Sequence, residues 1–490
     1  MAISRLWFAP AFFVVILIFL SVGESTAVAR NEDSPTPTTR VTGLLTVVWG
    51  DAFLDQSVGP AERYFLQCDS GATFELTLEQ EIVIAAGGAE RLNGRRVEAA
   101  LTLRLGTGAK QTEGREAIVH SLRVLADASS APSTKAITGP QPWISILCKF
   151  SDVSSEPKAL SYFQWMYAST YPGLDHYWRT LSYNKANVSG STAVAWVTLP
   201  FPVSHYASAG GGDINAMVID CTAAADDSVY FPDFVGINMM FNDEFGPYAW
   251  GGSRYLNLDG VSKKYRVTWE PPWGYRNVSV IAHEMGHGFG LPHSNNADGD
   301  SDPYDNPWDV MSDTWHYAVS DSTYGTVGKG TIAYHLDMLG WIDAARRLVI
   351  DSPGIYHATV DHLTLSTSSN IRMIKVLKPG SSRFYTVEVR DKVGYDGGLP
   401  GFAVVVHDVD SGRSEDAWLV DAENPSNGAD EGAMWRVGEC FEDATNNISI
   451  CVQSVATEGF AVRVAYGDTA MVFDDGFETG GFGAWSFASQ

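Results

Sequence analysis

The chain has 490 residues, more than one compact core usually accommodates, and its 45% hydrophobic and 12% aromatic content can fill several cores. This composition argues against wholesale disorder. The formal net charge of −25 argues against nucleic acid or an anionic membrane surface as partner, because both attract Lys and Arg. A multidomain protein with its charge on solvated faces or cation-binding loops is expected.

The N-terminus has the pattern of a secretory signal peptide. Arg5 is followed by an apolar run over residues 6–22 and then by Ala27-Val28-Ala29, a small-x-small cleavage site. A membrane anchor is the alternative, but the small residues and the polar sequel favour cleavage. We therefore predict a signal peptide over residues 1–29 and a secreted protein with no membrane anchor after cleavage.

Export permits disulfides, and the chain has five cysteines. Cys440 and Cys451 are close in sequence within one candidate hairpin, which makes them the first candidate pair. Cys148 and Cys221 are the second candidate pair, although sequence alone does not fix connectivity. Cys68 is then left over.

Patterns of apolar residues divide the rest of the chain. Short β-like runs punctuated by Gly, from residue 41 to about 125, predict a small β-barrel or sandwich, and an Ala-, Ser- and Pro-rich linker follows. Strand patterns return after about residue 348 and predict a β-sandwich. The predicted order is signal peptide (1–29), β-rich propeptide or N-terminal module with linker (30–139), central domain (140–345), C-terminal β domain (346–468) and Gly/aromatic tail (469–490).

The middle block has a mixed α/β pattern. WISILCKF, AVAWVTL and VGINMMF are strand-like, whereas residues 160–184 alternate at helical spacing. RNVSVIAHEMGHGFG predicts a helix that stops at glycine, with Asn277 as its cap, and TIAYHLDMLGWI predicts a further helix. The overall expectation is an α/β (α+β) domain flanked by an N-terminal small β-barrel-like module and a C-terminal β-sandwich-like domain.

Residues 283–293, HEMGHGFGLPH, combine three histidines, a glutamate and a turn-forming glycine. His283 and His287 are four residues apart and project from one face of a helix, so both can ligate one zinc ion. Gly290 can adopt positive φ and turn the chain, which lets His293 reach the same ion. Three histidines leave a fourth position for water, which is typical of a catalytic zinc site.

Glu284 lies beside the first histidine but is displaced around the helix. It can therefore reach a metal-bound water and take its proton, acting as general base and then acid. HExxH alone also occurs by chance on surface helices. Here the longer pattern HExxHxxGxxH matches throughout, and Met311 follows in DNPWDVMS. Their agreement favours a catalytic zinc site and makes residues 140–345 the predicted zinc metalloprotease catalytic domain.

HEMGHGFGLPH with the downstream Met311 resembles the metzincin group of zinc endopeptidases. FSDVSSEPKALSYFQWMYAST, YDNPWDVMS, AYHLDMLGWI and FYTVEVRDKVGYDGGLPGFAVVVHDVD are similar to segments of immune-inhibitor-type and gametolysin-type metalloproteases. The resemblance spans residues 140–412. Its zinc motif is highly specific, and the flanking matches are looser.

The resemblance implies that His283, His287 and His293 bind zinc, that Glu284 is the catalytic base and acid, and that Met311 forms a hydrophobic floor under the site. Immune-inhibitor-type enzymes often have Asp as third ligand, so His293 is nearer the gametolysin pattern. Some metzincins carry a Tyr ligand two residues after the methionine. Asp313 occupies that position here and excludes it.

Two features remain open at this point. Asp298, Asp300, Asp302 and Asp305 form an acidic loop that could bind calcium or could be only a solvated loop. The N-terminal module could be a removable propeptide or a permanent binding domain. Cys68 within it could switch the zinc site as a thiolate, although no known switch consensus surrounds it, and a buried or unpaired thiol is preferred.

We therefore predict a secreted zinc-dependent endopeptidase, made as a precursor, that hydrolyses peptide bonds with a zinc-activated water and Glu284. Zinc is the expected cofactor and calcium a candidate, with protein or peptide substrates and an undetermined oligomeric state. The substrate is expected to pair with a strand edge within INMMFNDEFGPYAWGG, which could equally be an ordinary core strand and loop. The alternatives are a secreted binding or adhesion protein with a vestigial metalloprotease site, and a zinc hydrolase for non-peptide substrates.

Overall fold

The computed structural model describes residues 38–104, 115–125, 136–296, 298, 302–422, 429 and 431–467. The predicted signal peptide, most of the linker and the tail lie outside the described residues, and the predicted domain boundaries stay predictions. The fold is mixed α/β, with many strands and few helices. No helix in the described ranges is long and apolar enough to cross a membrane.

The N-terminal module, residues 39–125, is a closed, barrel-like sheet. Its elements are β1 (Thr39–Asp51), β2 (Ala61–Cys68), β3 (Thr73–Thr77), α1 (Gln80–Ala85), α2 (Ala89–Leu92), β4 (Arg96–Leu103) and β5 (Arg115–Val124). The strands pair in the order β2-β3-β5-β4-β1, and β1 also pairs with β2. Leu45, Val47 and Trp49 alternate along β1 and fill the core. The predicted small barrel is confirmed, whereas the two short helices are additional.

The central region, residues 136–346, contains the HExxHxxGxxH motif. Its elements are β6 (Gly139–Pro140), β7 (Trp143–Lys149), α3 (Leu160–Trp165), α4 (Leu174–Leu181), β8 (Ala186–Asn187), β9 (Thr192–Thr198), α5 (Val203–Tyr206), α6 (Ile214–Ala225), β10 (Gly236–Phe241), β11 (Ala249–Leu258), β12 (Val261–Glu270), α7 (Val278–Phe289), β13 (Ser294–Asn295), β14 (Ser320–Asp321), β15 (Gly325–Thr326) and α8 (Ala333–Met338). The three predicted strands are present. The helical pattern over 160–184 forms two short helices, α3 and α4, which are separated by residues 166–173.

A sheet in the order β11-β12-β10-β7-β9 forms the middle layer of the central region. Strands β12, β10, β7 and β9 are parallel, and β11 is antiparallel to β12. Side chains of β7 alternate between the two faces, since Leu147 packs in the core that contains α7 while Ile146 packs in the core that contains α6. Helix α7 is buried along its whole length.

Strand β1 joins the N-terminal module to the central sheet. Its residues Val48, Trp49, Gly50 and Asp51 pair antiparallel with Gly252, Gly251, Trp250 and Ala249 of β11, in that order. The barrel and the central sheet are therefore one continuous ten-stranded sheet. The segment AWGG, part of the predicted substrate-binding stretch, is covered by β1.

The C-terminal region, residues 347–467, is made of strands. They are β16 (Arg347–Ile350), β17 (Gly354–Asp361), β18 (Met373–Leu377), β19 (Phe384–Arg390), β20 (Ala403–Val409), β21 (Ala417–Leu419), β22 (Cys440–Asp443), β23 (Ile448–Ala456) and β24 (Gly459–Tyr466). One sheet has the order β13-β21-β20-β19-β18-β16 and the other β17-β24-β23-β22. Val387 of the first and Val462 of the second share one apolar core, which is compatible with the predicted sandwich.

The cysteine predictions are confirmed. Cys148 is bonded to Cys221, which ties β7 to α6, and Cys440 is bonded to Cys451 across the β22–β23 hairpin. Cys68 is free and buried in the barrel.

A buried arginine fastens the C-terminal region to the loop before Met311. Arg390 donates through Nε and Nη2 to the two carboxylate oxygens of Asp396, at 3.0 and 2.8 Å, and through Nη1 to the carbonyl of Trp308. Asp396 also accepts the backbone N–H of Gly330 at 2.8 Å. Because this arginine is fully buried, its charge depends on Asp396 and Glu388 for compensation.

Replacing Asp396 by alanine should therefore lower the free energy of unfolding by about 3–5 kcal/mol, because a buried cation would lose its main partner. Denaturant unfolding followed by fluorescence measures the change. Asp351 is exposed, and Asp351→Ala is the matched control, with an expected change within about 0.5 kcal/mol. Equal effects of the two substitutions would contradict this role for Asp396.

Candidate metal centre

Helix α7 and the turn after it bring three histidines together. His283 and His287 are one turn apart on α7, which ends at Gly290 with φ of 96°. A glycine adopts this left-handed conformation without strain. The backbone N–H of Leu291 then donates to Gly286 O at 3.0 Å, which closes the turn that carries His293 back toward the helix.

The imidazoles of this triad (His283, His287 and His293) converge through their Nε2 atoms. His287 Nε2 lies 3.0 Å from His283 Nε2 and 3.2 Å from His293 Nε2. The Nδ1 atoms of His283 and His287 donate to the backbone carbonyls of Val310 and Leu291, at 2.7 and 2.8 Å. A carbonyl only accepts, so both Nε2 atoms keep a lone pair. Facing lone pairs repel each other unless a cation lies between them.

Asp51 of β1 completes the group as a fourth donor. Its carboxylate lies 2.8 Å from His293 Nε2, 3.3 Å from His283 Nε2 and 3.4 Å from His287 Nε2. Four ligands placed tetrahedrally at about 2.0–2.1 Å from zinc are about 3.3 Å apart. The spacing of the triad and Asp51 therefore fits a four-coordinate ion of this size.

The electrostatics of the group also suit a metal. Burial lowers the pKa of His287 to about 3, which keeps the imidazole neutral as a ligand must be. Burial raises the pKa of Asp51, but the neighbouring imidazoles of His293, His283 and His287 outweigh it and hold that pKa well below its ordinary value. Oδ2 of Asp51 has no hydrogen-bond partner among the described residues, which is another indication that a cation belongs there.

Sequence reasoning missed Asp51 and considered Cys68 instead. Cys68 lies in the barrel core, and burial together with Asp69 raises the pKa of its thiol to about 11. A thiol in that state is a poor metal ligand. Among the described residues that could hold a metal with the triad, the module contributes only Asp51.

Glu284 lies next to the triad, fully buried. Neither of its carboxylate oxygens has a hydrogen-bond partner among the described residues. Burial, with the nearby charges of Asp51 and Glu270, raises its pKa well above the ordinary range. An unpartnered buried carboxylate is costly, and such groups are concentrated at functional sites.

Met311 lies under the helix, as expected from the sequence. It is fully buried, and a Cβ added to Gly286 would lie 2.3 Å from its sulfur, so the glycine is what allows this close approach. Asp309 holds the turn, since its Oδ1 accepts the N–H of Met311 at 3.1 Å and its Oδ2 accepts the hydroxyl of Ser294 at 2.8 Å. Asp309 thus links Met311 to Ser294, the residue that follows the third histidine.

Three other residues differ from expectation or were not anticipated. Tyr304 donates its hydroxyl to Asp51 Oδ1 at 2.9 Å and was not singled out from the sequence. Asp313 accepts the backbone N–H groups of Trp315 and His316 and pairs with Lys329, so it anchors a turn. Asn277 occupies the N-cap position of α7, but its side chain makes no capping bond and instead donates to Trp273 O at 2.9 Å.

The acidic loop remains an untested calcium candidate. Asp300 lies outside the described residues. Asp302 accepts the N–H of Tyr304 two residues later, and Asp305 accepts that of Asn296, which joins the two ends of the loop. The backbone N–H of Asp298 donates to Asn296 Oδ1. None of the three described aspartates belongs to a metal-binding group in the part of the chain that is described.

Comparison with models of known protein families and with curated proteins finds no match to this chain. The metzincin assignment therefore stays a prediction from the motif. The geometry establishes a buried His/Asp group that could hold a metal ion.

Removal of one ligand should abolish tight metal binding. Elemental analysis of purified full-length protein is expected to find one zinc per chain. His287→Ala should lower zinc affinity more than about 100-fold, since even outer partners of ligands contribute 10–100-fold. His316 has an exposed side chain, and His316→Ala should retain the metal. Equal zinc content in both variants would exclude the triad as the site.

Proposed function

We propose that the protein is a secreted zinc endopeptidase of the metzincin type, made as a latent precursor. One observation supports this above all. Three histidine nitrogens and the carboxylate of Asp51 surround a single point beside the unpartnered Glu284. The histidines and Glu284 belong to the central region, whereas Asp51 belongs to the N-terminal module.

The proposed chemistry divides between the metal and the chain. Zinc in the triad would activate a water molecule and polarise the carbonyl of the scissile peptide bond. Glu284 then takes the proton of the attacking water and delivers it to the leaving amine. Exposure of the site and loss of Asp51 would relieve the two largest causes that raise the pKa of Glu284, which leaves its carboxylate free to accept that proton.

The proposed latency is explained by β1, which covers the triad and Glu284. The triad and Glu284 are at most 4% exposed, so a peptide cannot reach them while the module is docked. β1 pairs with the edge of β11, where an extended substrate would pair, and Asp51 takes the fourth ligand position. The module is in this proposal a propeptide, and its removal opens the edge, the fourth position and Glu284 together.

Two further observations bear on the proposal. The two disulfides are typical of proteins in oxidising compartments, which fits export. Four protein ligands also describe a closed, structural zinc site, in which Asp51 would be a permanent ligand. A structural zinc site is the competing function. The two functions predict different effects of replacing Asp51 on activity and zinc content.

Glu284→Gln should abolish peptide-bond cleavage and leave zinc bound, because the amide keeps the size of the side chain but cannot accept a proton. Full-length protein is activated by limited proteolysis, and chelator-sensitive hydrolysis of casein is measured beside zinc content. A loss of at least about 100-fold is expected. Cleavage by the variant at the rate of the wild type would refute the role of Glu284.

Asp51→Asn in the full-length protein should weaken latency, because the amide removes the negative charge from the fourth position. Charge-assisted contacts contribute about 1.5–3 kcal/mol, so activation should be about tenfold faster or more. Asp55 is exposed, and Asp55→Asn should behave like the wild type. If Asp51→Asn instead loses zinc and stability without gaining activity, the site is structural.

A further inference from the structure

Phe53 is a side chain of the N-terminal module that occupies a pocket beside the candidate metal centre. It follows Asp51 by two residues and is 6% exposed. Its ring meets the ring of His283 edge-on, with centroids 4.9 Å apart, and lies 5.0 Å from the ring of Tyr304. The rings of Trp273 and Trp315 are each 6.3 Å away, in edge-to-face orientation.

The walls of this pocket come from the central region. Ala249 of β11 and Val280 of α7 complete the apolar cluster around Phe53. We call the set the Phe53 pocket: Ala249, Trp273, Val280, His283, Tyr304 and Trp315. Because none of the six belongs to the module, the pocket stays with the central region when the module leaves.

Trp49, on the other side of Asp51, is held differently. Its ring stacks on His287 with centroids 4.9 Å apart, but its apolar neighbours belong to the barrel core. The surroundings of Trp49 are therefore shared between the module and the central region, whereas the central region provides those of Phe53. The Phe53 pocket is thus one that a substrate side chain could take over without the module.

The direction of β1 indicates which side chain of a substrate the Phe53 pocket would receive. β1 is antiparallel to β11, with Trp49 opposite Gly251 and Asp51 opposite Ala249. A substrate that replaces β1 in the same direction carries its later residues toward the Phe53 pocket. Asp51 marks the position of the metal, so the pocket receives a residue that follows the cleaved bond.

Resting on the proposed function, we infer that the Phe53 pocket selects peptide substrates with an aromatic side chain at the first or second position after the cleaved bond. Four aromatic rings face this side chain, and aromatic rings favour the edge-to-face arrangement seen for His283, Trp273 and Trp315. A small or charged side chain would leave the pocket unfilled or bury an unpaired charge.

Cleavage mapping tests the inference. Full-length protein is activated by limited proteolysis and incubated with a proteome-derived peptide library, with and without a zinc chelator. Phe, Tyr or Trp should dominate one of the two positions, and a Phe peptide should exceed its Ala counterpart at least about tenfold in kcat/KM. Chelator-sensitive cuts without aromatic enrichment would overturn the inference and leave the proposed function standing. No chelator-sensitive cuts would overturn both.

A variant of the pocket provides the matched comparison. Trp315→Leu should reduce the ratio of Phe to Ala cleavage at least about threefold, because one aromatic wall is lost. Trp165 is 69% exposed and lies outside the pocket, so Trp165→Leu should keep the ratio of the wild type. An unchanged ratio in Trp315→Leu would remove Trp315 from the selection and contradict the inference.

The full chain offers a second readout that needs no peptide substrate library. Phe53→Tyr should keep the latency of the precursor, whereas Phe53→Ala should speed its activation by limited proteolysis at least about fivefold, because the pocket loses its occupant. The time to half-maximal casein cleavage measures both. Identical activation of the wild type and the two variants would show that the pocket does not discriminate between side chains and would overturn the inference.

Discussion

The arrangement of the central region depends on one buried point, where three imidazoles and a carboxylate converge. The Nε2 lone pairs of His283 and His287 face each other at 3.0 Å and repel each other unless a cation lies between them. The surroundings are arranged to keep those lone pairs in place. The carbonyls of Val310 and Leu291 hold the opposite ring nitrogens, and Asp309 fixes the turn that positions Val310 and Met311. Helix, turn and loop are thus organised around one candidate metal site.

Strand β1 contributes to two structures at once. Val48, Trp49 and Gly50 pair with β2 on one side and with β11 on the other. The barrel therefore cannot close as it does without also covering the edge of the central sheet. Asp51, the last residue of β1, extends the covering strand to the metal centre. Gly251 of β11 allows close packing against α7, because a Cβ at this residue would lie 2.4 Å from the carbonyl oxygen of Glu284.

The parts of the site that could be predicted are those determined by local geometry. The i, i+4 spacing of His283 and His287, the positive φ of Gly290 and the alternation of apolar residues in strands all follow from neighbouring residues. Asp51 could not be predicted this way, since it is 242 residues from His293 and only the pairing of β1 with β11 brings them together. Phe53 and Tyr304 were missed for the same reason. The identity of the ion is beyond what donor types and spacing specify.

The order of β1 and β11 along the chain has a consequence for folding. β1 is synthesised before β11, so the edge of the central sheet meets its neighbouring strand as it forms. A chain without β1 would have to form this edge with the outer backbone N–H and C=O groups of β11 unpaired. Refolding of a chain that lacks β1 should accordingly be less efficient than refolding of the intact chain, and the module would then act as a template for folding as well as a cover.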